Sequence, residues 1–66
     1  MFGIVKESIG VNVYAEPRHD AIVLCRVPTG TRLEVDFRQD IGKFCAVCTS
    51  TGIEGFCMKK HITVEH

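Results

Sequence analysis

The stretch Lys43–His61, KFCAVCTSTGIEGFCMKKH, decides how the chain is read. It carries Cys-x2-Cys and then Cys-x3-His, which are zinc-ligand types. It also reads as a strand KFCAVCT, a tight turn STG and a returning strand IEGFCM. On a strand, residues three apart are ~10 Å apart at about 3.3 Å per residue and point to opposite faces. Cys45 and Cys48 would then neither clamp one metal nor close a disulfide, whose α-carbons lie within roughly 7 Å. A zinc knuckle turns sharply between its cysteines, whereas Ala46 and Val47 stand here and valine favours strand. A thioredoxin-type pair needs a helix N-terminus to lower the thiol pKa, and no helical pattern follows. Cys45 is read as a small core hydrophobe facing the same way as Val47.

Working outward, the rest of the chain is also strand-like. In VNVYA, Val11 and Val13 alternate with Asn12 and Tyr14, and in RLEVDF, Leu33, Val35 and Phe37 alternate with Arg32, Glu34 and Asp36. GIVKE and the apolar run AIVLCRV read as further strands. EPRHD, PTGT and RQDIG read as loops and turns, with Gly30 free to take positive φ. KKHITVE is long enough for one 3-10 turn and a closing strand. The expected fold is all-β: a single domain over 1–66, built as a small barrel of five to six short antiparallel strands with one 3-10 turn near the C-terminus.

Composition limits the function classes. A chain of 66 residues has a thin core, and such a core rarely supplies more than roughly 3–5 kcal/mol. Eight Lys+Arg balance eight Asp+Glu, so no basic field is available to hold phosphate backbones and no nucleic-acid partner is expected. Lys59-Lys60-His61 is a local basic spot without interleaved aromatics. MFGIVKESIG lacks the pattern of a secretory signal, and no run of about eighteen apolar residues occurs. The expectation is a cytoplasmic protein without membrane contact, whose reducing surroundings favour free thiols.

The order VNVYAEP, VLCRVPTGTRLEV, GKFCAV, GIEGFC and KKHI resembles the bacterial SH3-like domain family. Its members typically read Leu-Asn-Val-Arg-x-Gly-Pro, a hydrophobic run ending in Lys-Gly-Thr, Gly-Trp-x-x-Val, then Gly-x-x-Gly-Trp/Tyr-Val and a terminal Tyr-Leu. The likeness runs from Ile4 to Val64. Asn12, Val13 and Pro17 fit the first motif, Gly30 and Thr31 the second, Phe44 stands where tryptophan is usual, Val47 fits the core valine, and Gly52, Gly55 and Phe56 fit the last. Tyr14 replaces arginine, Glu16 replaces the glycine before proline, and the chain has no tryptophan. The resemblance implies a small β-barrel that binds peptides without being a catalyst.

In that fold the loops after Tyr14 and before Phe44 lie side by side. Tyr14 and Phe44 are thus the expected ligand-binding rings, with Glu16 as an acidic neighbour for a basic ligand; partial burial in the barrel is the competing role for both rings. Phe2, Phe37 and Phe56 are assigned to the core. Read without the family, Glu16 and Asp20 are solvated loop charges, His19 lies in a loop, and His66 is solvated or a tag remnant. The expected partner is a peptide or protein, no cofactor is called for, and self-association is open. The alternative is a small zinc-stabilised or redox-sensing module using Cys45, Cys48, Cys57 and His61.

Overall fold

The computed structural model describes residues 1–6, 8–38 and 41–65. Gln39 and Asp40 of the RQDIG loop, and the terminal His66, lie outside the described residues. Seven short strands follow in chain order: β1 (Phe2–Val5), β2 (Val11–Tyr14), β3 (Val23–Val27), β4 (Arg32–Asp36), β5 (Phe44–Cys48), β6 (Glu54–Met58) and β7 (Ile62–Val64). A 3-10 turn, Lys59–His61, separates the last two. The expected all-β class and the 3-10 turn are present, with one strand more than the longer of the two counts because β1 and β7 are both formed.

The strands make one antiparallel sheet in the order β3-β2-β6-β5-β4-β1-β7. It is open, with β3 and β7 at its edges. Laid flat, seven strands at about 4.8 Å spacing would be ~29 Å wide and one layer thick. The α-carbons instead span 27 × 24 × 21 Å. The sheet therefore coils around its own inner face, as twisted strands allow.

Period-2 alternation decides what that inner face holds. Val11 and Val13, Leu33 and Val35, and Cys45 and Val47 point inward with Val5, Val27, Cys57 and Ile62. Their intervening neighbours point out. Gly3 is also inside: Ile62 and Val35 close over its bare α-carbon, which lets β1 approach β7 and β4. The 3-10 turn redirects the chain from β6 into β7 so that Ile62 is buried, and the Lys6 N–H donates to the His61 carbonyl at 2.9 Å.

Two of the three core expectations, Phe2 and Phe56, are corrected by the same alternation. With Gly3 and Val5 inside, Phe2 falls outside, 40% exposed, where the Arg32 guanidinium covers its ring at 3.9 Å. Phe56 lies between the buried Gly55 and Cys57 and so takes the outer face, half-buried. Phe37, just past β4, packs half-buried against the core. The run AIVLCRV is exposed over its first half: β3 is an edge strand and Ile22 before it is 76% exposed, while Val27 and, in part, Cys25 reach the core.

Candidate functional site

Tyr14 ends β2, and its alternation with Val13 turns the ring outward. The next residues, 15–22, make a loop that returns to β3 and is closed at its base by the Ala15 N–H donating to the Ile22 carbonyl at 2.8 Å. That return carries His19 back over the end of β2. Phe44 opens β5, 5% exposed. The three rings meet edge to face, with centroids 5.9 Å apart for Tyr14 and Phe44, 5.2 Å for His19 and Phe44, and 6.5 Å for Tyr14 and His19. Such pairs contribute about 0.5–1.5 kcal/mol each beyond area burial, so the cluster helps fix the loop.

Tyr14 and Phe44 thus stand together. Phe44 forms a floor and Tyr14 and His19 form the walls, because Phe44 is buried while the other two keep solvent access. The sequence places His19 in the EPRHD loop, which begins at Glu16, just past Tyr14, and must double back, and that return is the signal for its place here. Glu16 lies on the same loop, but its carboxylate accepts from the Arg18 guanidinium at 2.6 Å, and Arg18 also reaches Asp20 at 3.4 Å. All three side chains are exposed, and pairs of this kind contribute little to stability. They nevertheless neutralise Glu16 within the loop.

The cysteines separate as strand geometry requires. Cys45 is buried on the inner face, and Cys48 is half-buried on the outer one. Among the described residues no three metal-ligating side chains come together, so Cys45, Cys48, Cys57 and His61 do not converge on one point. All four cysteines are free thiols. Cys57 stands directly across from Cys45 in the β5–β6 ladder, and the Cys45 thiol donates to the Cys57 backbone carbonyl at 3.6 Å. The neighbouring Cys45 and burial push the Cys57 thiol well above its ordinary pKa, whereas the neighbouring Cys57 holds Cys45 lower.

A second hollow, of about 820 Å³, lies over β4, β5 and β6, between Glu34, Phe37, Cys48, Glu54, Phe56 and Met1. It holds two rings, Phe37 and Phe56, and one of its rim charges is already satisfied. Asp36 accepts two hydrogen bonds from the Arg38 side chain, at 2.8 and 3.0 Å, and one from its backbone N–H. These bonds hold its carboxyl at about 2. The depressed value means that Asp36 stabilises the fold above the ordinary carboxylate range and loses that contribution as pH falls through about 2. Arg38→Ala is expected to raise the carboxyl part of the way toward 3.8, the backbone N–H of residue 38 still donating, measured by carbon-detected NMR titration; a carboxyl still titrating near 2 would show that the Arg38 side chain is not the cause.

No family model matches the chain, and no curated protein matches it. No helix among the described residues is long and apolar enough to cross a membrane.

Proposed function

We propose that this protein is a non-catalytic binding module, an SH3-like barrel that captures an extended segment of a peptide or protein at the Tyr14, His19 and Phe44 rings. The observation that carries this reading is the convergence of three rings from three separate chain segments at one exposed loop. Flat, rigid side chains lose little entropy on contact, and an extended or polyproline segment has little of its own left to lose. The hydroxyl of Tyr14 and the imidazole of His19 supply hydrogen-bonding groups at the rim. The four free thiols fit a reducing compartment, the cytoplasm.

The test is selection from a displayed library of random peptides, followed by amide-shift mapping with a selected peptide. Tyr14, His19 and Phe44 should shift together. Tyr14→Ala should leave the protein folded, with a lowered denaturation midpoint, and weaken binding about thirty-fold, the equivalent of the ~2 kcal/mol an aromatic anchor can carry. Shifts confined to Thr49–Gly52, to Ile62–Glu65 or to the hollow over β4–β6 would place the contact elsewhere and sink the proposal.

A further inference from the structure

We infer that Cys45 and Cys57 form a redox site, a pair of core thiols that closes to a reversible disulfide within the folded sheet under hydrogen peroxide. The ladder places them as direct cross-strand partners. Lys59 N–H donates to the Lys43 carbonyl at 2.9 Å, and Thr49 N–H to the Ile53 carbonyl at 2.9 Å, one on each side of the pair. Counting inward by alternation, Cys45 and Cys57 occupy a hydrogen-bonded position, whose α-carbons lie about 5.5 Å apart. That is inside the roughly 4.4–6.8 Å range of disulfides. The Cys45 sulfur already reaches the Cys57 backbone, 3.6 Å from its carbonyl oxygen, and both side chains lie on the inner face, with exposures of 1% and 0%. No strand has to move to a new partner for the sulfurs to meet.

The chemistry balances with one peroxide. Cys45, as thiolate, attacks a peroxide oxygen and breaks the O–O bond. The hydroxide released takes up the proton that the thiol gave up, leaving a sulfenic acid on Cys45 and one water. The Cys57 sulfur then attacks the Cys45 sulfur, forming the S–S bond, and the hydroxyl leaves with the Cys57 proton as a second water. Two thiols have lost two electrons and two protons, and the peroxide has become two waters. The lower proton affinity of Cys45 makes it the sulfur that meets the peroxide, and Cys57 keeps its proton until the departing hydroxyl takes it as the S–S bond forms. Directly opposed β-carbons lie about 4.5–5.5 Å apart, against a disulfide mean of about 3.8 Å, so closing draws the strands together and leaves a bond that thiol reductants reopen. Burial makes the reaction slow, because the peroxide must enter through local opening of the sheet.

The experiment treats the full chain, in native buffer and separately in denaturant, with hydrogen peroxide, then alkylates it unfolded and cleaves it at glutamates without reductant. Cleavage at Glu54 separates Cys45 from Cys57. The native sample should yield these two fragments linked, with the mass lowered by two hydrogens, restoration by dithiothreitol, and a Tm several degrees higher because a loop has been closed. The variant carrying Cys25→Ser and Cys48→Ser should give the same loss of two hydrogens. Recovery of both thiols fully alkylated, addition of oxygens without a link, a link to Cys25 or Cys48, or linking only in denaturant would each overturn the inference.

Discussion

Leu33→Ala is expected to leave most of the protein unfolded at room temperature. Leu33 is the largest of the fully buried side chains, 1% exposed, on the inner face of β4. Truncating a buried leucine costs about 2–5 kcal/mol, the spread reflecting how far the site can collapse around the cavity. A core of this size supplies roughly 3–5 kcal/mol in all, so the loss is comparable to the whole. Urea denaturation followed by circular dichroism is the check. A midpoint that barely moves would mean that Leu33 does not sit in the interior described.

Gly55→Ala should be nearly as damaging, for a different reason. An added β-carbon would lie 2.6 Å from the Tyr14 carbonyl oxygen and 2.6 Å from Val13 Cγ1. The oxygen is backbone and cannot rotate away, so β2 must shift off β6. Overpacking of this kind costs typically about 1–3 kcal/mol, occasionally more. Tyr14 and Phe56 are the one registered partnership between those strands, so the shift would also disturb the ring cluster. Gly30→Ala makes a useful control. Gly30 has φ of 86°, but nothing lies within 4 Å of the new atom, so the substitution bears only the left-handed backbone cost, about 1–2 kcal/mol. Equal midpoints for the two variants would refute the steric account of Gly55.

The parts of the fold that could be read from the sequence are those with a strict period. Val11 and Val13, and Leu33 with Val35, alternate with polar residues and are buried as that alternation requires. The run Ile22-Val23-Leu24 has no alternation, and hydrophobicity alone does not distinguish an interior strand from an edge one. Its side chains remain largely exposed because β3 has a partner on one side only. Phe2 was misassigned because position in a strand, and not residue type, chooses the face.

The meeting of Tyr14 and Phe44 was implied by the family resemblance alone, and that of His19 depends on how its loop doubles back, which residue types do not specify. The pairing of Cys45 with Cys57 was within reach. Gly52, at φ 87°, completes a three-residue loop in which its N–H donates to the Thr49 carbonyl at 3.0 Å, a hairpin form that places glycine in the left-handed region. Once the STG turn sets Thr49 opposite Ile53, counting back four residues on each strand sets Cys45 opposite Cys57.

The pairing of β1 with β7 has a mechanical consequence. These strands run antiparallel, Gly3 opposite Val64 and Val5 opposite Ile62, and the Glu65 N–H donates to the Phe2 carbonyl at 2.8 Å. A tether attached at residue 1 and another at residue 65 would therefore pull on the same end of one ladder. Load would fall on the Phe2–Glu65 hydrogen bond first and then on each bond behind it in turn, so the sheet would unzip under low force where strands loaded in shear would resist together.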